Sequence, residues 1–173
     1  MKGHCILSHG LNSSPHATKV SALAQVAEVM GYTHERPDYR DIDTRAGADI
    51  RDVARRLERL LERARAMQGP LVLVGSSMGA YISARATLEV PVVGLYLMAP
   101  PVALPGYPLP LDAAVVPLRV VHGWGDELIS AQSVVDWCQA RKAPLQLVDD
   151  GHRLEHHVPA IADDFRRFLE ALA

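Results

Sequence analysis

The sequence predicts a three-layer α/β/α architecture around a mostly parallel sheet of about six strands. Three observations carry this. Short apolar runs without polar alternation, Leu71 to Val74 being the clearest, suit strands buried on both faces. These runs alternate along the chain with segments whose apolar residues recur at steps of three and four, the helical period. Finally, the polar residues able to do chemistry fall just after the runs, at the carboxyl ends of strands, where such sheets bind ligands.

Taken in order, His4 to Ser8 reads as the first strand, ending at His9-Gly10. Leu11 to Pro15 is a loop, and a helix is expected from about His16 to Met30. Val20, Leu23, Ala24, Ala27 and Met30 give it one buried face, and Gly31 closes it. Tyr32 to Tyr39 is a weaker strand whose polar residues and Pro37 suit a sheet edge. Arg40 to Thr44 reads as a turn. From Gly47 to Met67, Ile50, Val53, Leu57, Leu60, Leu61 and Ala64 draw the clearest helical stripe in the chain. Arg51, Arg55, Arg56, Arg59, Arg63 and Arg65 lie on the same segment among Asp52, Glu58 and Glu62. That mixture predicts a solvated face with local ion pairs rather than a binding patch.

The central strand follows Gly69-Pro70, and Met78 to Leu88 is an alanine-rich helix fit for close packing on the sheet. Val92 to Met98 is the next strand. Ala99 to Pro117 then holds six of the twelve prolines, an irregular connection of the kind that is usually functional or mobile. Leu118 to His122 resumes as strand, Ser130 is expected to cap a helix running to about Ala140, and Leu145 to Val148 is the last strand. A helix from about Val158 to Leu172 ends the sequence.

At 173 residues the chain is expected to form one domain, residues 1–173. A net charge of −2 without a basic tract argues against nucleic acid as a partner, and no stretch reads as a membrane span or signal segment. A cytoplasmic protein is expected. Cys5 and Cys138 lack a metal-ligand or redox spacing and are read as reduced thiols. No cofactor or metal is called for, and a homo-oligomer is left open.

The chemistry centres on Gly75-Ser76-Ser77-Met78-Gly79, which fits G-x-S-x-G between a strand and a helix. Ser77, not Ser76, is the candidate nucleophile, since it occupies the central position of the sharp turn. Gly75 and Gly79 are expected because a Cβ at either would collide with neighbouring backbone. A serine hydroxyl needs a base and a group orienting that base. His152, in a D-G-H turn after the last strand, is the candidate base. Asp126, in H-G-W-G-D after the preceding strand, is the candidate acid, with Glu127 its immediate competitor and Asp149 or Asp150 able to reach His152 locally. The oxyanion donors are assigned to the backbone N–H groups of Met78 and Leu11, with Asn12 the alternative if the first loop is shifted. Asn12 and Trp124 are candidates to line the substrate site. His9 is read as a structural residue bonding loop backbone.

S-H-G-L-N-S-S-P near the start, G-S-S-M-G, G-D-E and G-H, in this order, resemble the compact serine hydrolases of the α/β-hydrolase fold, and in particular the YqiA-type group of small esterases. The resemblance covers nearly the whole chain. It implies a minimal α/β-hydrolase fold without a cap domain, lacking two early strands of larger relatives. It also implies a cofactor-free hydrolase acting on small-molecule esters or thioesters through an acyl-enzyme. A peptidase or amidase of the same fold, or a hydrolase-fold binding protein with little turnover, are the other readings. With no cap and only the Pro-rich connection near the site, a shallow cleft is expected.

Overall fold

The structure, a computed structural model, describes residues 2–44 and 52–173. Six strands form one sheet: β1 (Gly3–Ser8), β2 (Tyr32–Glu35), β3 (Leu71–Ser76), β4 (Gly94–Met98), β5 (Leu118–Gly123) and β6 (Leu145–Val148). Their order across the sheet is β2-β1-β3-β4-β5-β6, and every pairing is parallel. The apolar runs behave as strands covered on both sides must. Leu71 and Leu73 enter one core while Val72 and Val74 enter the other, and Leu95 and Leu97 alternate in the same way with Tyr96 and Met98.

Among the described residues six α-helices flank the sheet: α1 (Thr18–Val29), α2 (Arg40–Thr44), α3 (Val53–Ala66), α4 (Met78–Ala86), α5 (Ala131–Arg141) and α6 (Val158–Ala171). Helices α1 and α6 bury Leu23, Ala27, Phe165 and Leu169 on one face. Helices α2 to α5 bury Ile42, Leu60, Ile82 and Val134 on the other. Cys5 and Cys138 are free and buried, and burial pushes both thiols up, Cys5 to about 12 and Cys138 to about 11.

Several local expectations change. Strand β2 stops at Glu35, short of Tyr39. Arg40 to Thr44 is a short helix and not a turn; the Asp38 carboxylate accepts from the Arg40 N–H at 3.0 Å and so starts it. The long helix expected from Gly47 begins at Val53, capped by Asp52, whose side chain accepts from the Arg55 N–H; Gly47, Ile50 and Arg51 lie outside the described residues. Ser130 precedes α5 but makes no side-chain cap bond. The Pro-rich connection is strapped down: Tyr81 O–H donates to the Leu109 carbonyl at 2.6 Å, Trp137 Nε1–H to that of Leu111 at 3.0 Å, and Leu104, Leu111 and Ala113 are buried.

The arginine face of α3 also differs from expectation. Arg55 pairs locally with Asp52, but Arg59 reaches Asp41 of α2, Arg63 reaches Glu35 of β2, and Arg65 reaches Glu89. Arg56 is fully buried and pairs with Asp43 at 2.5 Å. The short α2 offers carboxylates that spacing within α3 could not reveal.

Two glycines fix how β3 passes into α4. A Cβ on Gly75 would lie 2.2 Å from the Gly79 carbonyl oxygen, and one on Gly79 would lie 2.0 Å from that of Ser8. Both obstacles are backbone, which cannot rotate aside. Gly69, by contrast, has φ +88° with nothing near its Cβ direction. Gly79→Ala is therefore expected to lose about 3 kcal/mol or more of unfolding free energy, the upper range for overpacking. Gly69→Ala is expected to lose only about 1 kcal/mol, for the positive φ alone. Urea denaturation of the two variants measures the difference.

Candidate active site

The register places the carboxyl ends of five strands on one edge: Ser8 pairs with Gly75, Ser76 with Met98, Met98 with Val121, and Gly123 with Val148. Each candidate site residue sits just beyond this edge. Ser77 takes φ 54° and ψ −119°, a conformation disfavoured for a residue with a side chain, and the Met98 carbonyl anchors it by accepting the Ser77 N–H at 2.9 Å. Ser76 belongs to β3 and is buried.

Ser77, His152 and Asp126 come together although the chain separates them widely. Ser77 Oγ lies 2.9 Å from His152 Nε2, and His152 Nδ1 lies 2.8 Å from Asp126 Oδ2. The Asp126 carboxylate is fully buried. Burial pushes its pKa up, but hydrogen bonds from His152 and from the Ile129 and Leu128 N–H groups outweigh this and hold it below the usual carboxylate range. An ionised carboxylate can only accept, so His152 carries its proton on Nδ1. Nε2 is then the acceptor for the Ser77 O–H, and the chain can draw a proton from Oγ while orienting the ring that receives it.

Glu127 contacts the same residue by a different route. Its carboxylate accepts from the His152 backbone N–H at 3.2 Å, bracing the turn while Asp126 faces the ring. Asp149 is exposed. Asp150 turns away from the His152 ring to accept from the Gly151 N–H and from His156 and His157. The two loops are held at the backbone level as well, since the Gly125 N–H donates to the Asp150 carbonyl and a Cβ on Gly123 would lie 2.3 Å from it. From α1, Lys19 Nζ donates to the Arg153 carbonyl, and burial brings its ammonium down to about 8, partly offset by Asp150 and Asp126.

On the other side of Ser77 lies the loop after β1. A Cβ on Gly10 would stand 3.2 Å from Ser77 Cβ and 3.8 Å from its Oγ. Neither the Leu11 nor the Met78 N–H is taken up by an acceptor among the described residues. Asn12 is exposed with φ 51°, and Trp124 is exposed on the Asp126 loop with Leu128 nearby in sequence, also exposed.

Four residues at this edge escaped the sequence reading. Arg56 Nη1 and Nη2 donate to the carbonyls of His9 and Gly10 at 3.2 and 3.3 Å. Tyr39 O–H and Ser8 Oγ bond at 2.9 Å beneath the loop. His122 is fully buried behind Asp126, with Nε2–H donating to the Ile129 carbonyl at 3.0 Å, and burial lowers its pKa. One signal for Arg56 was available: residue 56 falls on the buried stripe of α3, three after Val53 and four before Leu60. His9 does bond loop backbone, as expected.

Comparison with known proteins gives a consistent outcome. The family described as the Alpha/beta hydrolase family matches residues 5–172. No curated protein matches the chain. A crystal structure from Xanthomonas campestris pv. campestris, assigned to the alpha/beta hydrolase superfamily, shares 54% identity over 98% of this chain and 99% of that one, with a TM-score of 0.94. A serine hydrolase without lid from Xanthomonas campestris shares 25% identity over 98% and 82% of the two chains, with a TM-score of 0.77. An esterase from Pyrococcus furiosus shares the fold at 19% identity, over 98% and 83% of the two chains, with a TM-score of 0.76. Among the described residues no helix is long and apolar enough to cross a membrane.

Asp150 ties the turn after His152 to the start of α6. Burial pushes its carboxyl up, but hydrogen bonds from His157, His156 and the Gly151 N–H bring it well below the ordinary range. A depressed folded pKa contributes stability that is complete above the unfolded carboxyl's pKa of roughly 4 and is lost as pH falls below it. Asp150→Asn is expected to be less stable than the parent at pH 6 and to lose less than the parent between pH 5 and pH 3. Urea midpoints at the three pH values check it.

Proposed function

The chain belongs to the alpha/beta hydrolase family, and from that premise we propose that it hydrolyses carboxylic esters or thioesters through an acyl-enzyme on Ser77, with His152 as base and Asp126 as the acid that orients it. The observation that carries the reading is the unbroken hydrogen-bond chain that runs from Ser77 Oγ, on a strained turn, through His152 to a buried, ionised Asp126.

Ser77 Oγ attacks the substrate carbonyl carbon as its proton passes to His152 Nε2. Asp126 stabilises the imidazolium that forms and keeps its ring in place. The carbonyl oxygen, now negative, is received by the N–H groups of Leu11 and Met78. Collapse of the tetrahedral intermediate breaks the bond to the leaving alcohol or thiol, which takes the proton from Nε2. Water repeats the sequence on the acyl-enzyme, giving the carboxylic acid and free Ser77. Esters and thioesters suit the site because an alkoxide or thiolate leaves more readily than an amine. An esterase that shares the fold favours the same choice by analogy.

Ser77→Ala is expected to abolish both ester hydrolysis and labelling by a fluorophosphonate, whereas Ser76→Ala keeps labelling. Asp126→Asn should lower turnover by about 10⁴, the size seen when the acid of a serine protease is neutralised. Glu127→Gln should cost far less, since it contacts only the His152 backbone. Turnover of p-nitrophenyl acetate measures all four, and a Glu127→Gln loss equal to that of Asp126→Asn would show that the acid is misassigned.

Acyl-chain preference provides a separate test. Trp124 and Leu128 are 61% and 72% exposed, so neither forms part of a closed apolar wall. Beyond the first few carbons, added methylenes stay in solvent and should gain almost none of the ~0.8 kcal/mol available to each on full burial. The kcat/KM values for p-nitrophenyl esters from acetate to palmitate are therefore expected to stay nearly level, and a steep rise with chain length would overturn the open-cleft reading.

A further inference from the structure

We infer that Arg56 is a positioning residue for the oxyanion hole: with His9 it holds the Gly10 carbonyl and thereby turns the Leu11 N–H toward the oxygen that forms beside Ser77. The inference rests on the proposed hydrolase reading. It adds a role for a buried cation more than forty residues from the loop it holds.

The geometry leaves the loop little choice. The Tyr39 N–H donates to His9 Nε2 at 3.0 Å, so that nitrogen is an acceptor and the ring proton sits on Nδ1. Nδ1–H donates to the Gly10 carbonyl at 2.8 Å, and Arg56 Nη2 reaches the same oxygen at 3.3 Å while Nη1 takes the His9 carbonyl at 3.2 Å. Among the described residues there are no cis peptide bonds, so the Gly10 C=O and the Leu11 N–H of one peptide unit point in opposite directions. Fixing the carbonyl toward the buried guanidinium thus turns the N–H away from it, and Gly10 itself packs against Ser77. Arg56 is in turn held by two bonds to Asp43 and lies 4.9 Å from the Tyr39 ring centre.

A planar fork is what this task needs. It can serve Asp43 and two successive carbonyls at once, which an ammonium on a flexible stem cannot. Arg56→Lys keeps the charge for Asp43 but loses the fork.

The test compares Arg56→Lys with the parent and with Leu60→Val, which loosens the same helix one turn further on. Each is measured for kcat and KM on p-nitrophenyl acetate, for inhibition by phenylboronic acid, whose serine adduct mimics the tetrahedral intermediate, and for thermal unfolding. The expected result for Arg56→Lys is a fall in kcat of about 10- to 100-fold, below the 10²- to 10³-fold loss on deleting an oxyanion donor, with boronate affinity falling in step and KM within about twofold. Leu60→Val should keep parental kcat and boronate affinity. Loss of kcat no greater than in Leu60→Val, or unchanged boronate affinity, would overturn the inference. If Arg56→Lys does not fold, His9→Gln, which disturbs the second hold on the same carbonyl, is judged by the same criteria. If the parent shows no turnover that Ser77→Ala removes, the hydrolase reading falls first and the inference with it. If Ser77-dependent turnover is present but indifferent to residues 56 and 9, the inference alone falls.

Discussion

The crossing of the β3–α4 turn over the end of β1 is the contact on which the site depends. Backbone meets backbone there: the Gly79 Cα faces the carbonyl of Ser8, and the Gly75 Cα faces that of Gly79. Neither strand can yield, because Ser8 is locked in register with Gly75. With no side chain between them, α4 starts directly against β1, and Ser77 is forced into a positive φ that raises its hydroxyl beyond the sheet. The same closeness brings Gly10 against Ser77. The loop after the first strand and the Ser77 hydroxyl become neighbours because three positions lack a Cβ.

Topology then opens space around that contact. The chain leaves β1 for β2 at the edge and returns past β1 to β3, so the loops after β1 and β3 lead to helices on opposite faces: α1 in one core and α4 in the other. This is the switch point at which open α/β sheets form a crevice. Asp126 and His152 approach from the far side of β4, whose end is turned off by Ala99 at φ 47°. Their loops are fastened to each other by main-chain bonds, Trp124 to Val148 and Gly125 to Asp150, before any side chain is considered. The short Asp126–His152 bond is therefore a consequence of sheet geometry as much as of its own attraction.

Much of this was legible in the residues, and the parts that were not share a cause. Strands buried on both faces announce themselves, since Leu71 to Val74 can alternate between two cores only if no polar residue interrupts them. The elbow and the turns at Asp126 and His152 follow because glycines and polar residues cluster where strands end. What stayed hidden depends on partners distant in sequence. Helix α2 is too short to display a period, and its Arg59 and Arg56 partners lie outside any local window. Arg56 looked like one more arginine on a charged face because the stripe of α3 was drawn with apolar residues only. The Ser130 cap failed for the opposite reason: a local preference was present, but the side chain is not used.

The buried Arg56–Asp43 pair is poorly explained by stability alone. Taking both charges out of water costs several kcal/mol per ion, and a well-packed apolar pair at such a place is often as stable or more so. Apolar side chains, however, would leave the His9 and Gly10 carbonyls buried without these donors, and the direction of the peptide that follows would rest on His9 alone. The guanidinium satisfies both oxygens, and Asp43 holds the fork in the plane they require. Tyr39 joins the same arrangement twice, through its N–H on His9 and its hydroxyl on Ser8. The desolvation cost is thus offset in bonds that fix orientation, and orientation is the property an oxyanion site needs, since its donors must already point at an oxygen whose charge exists only during the reaction.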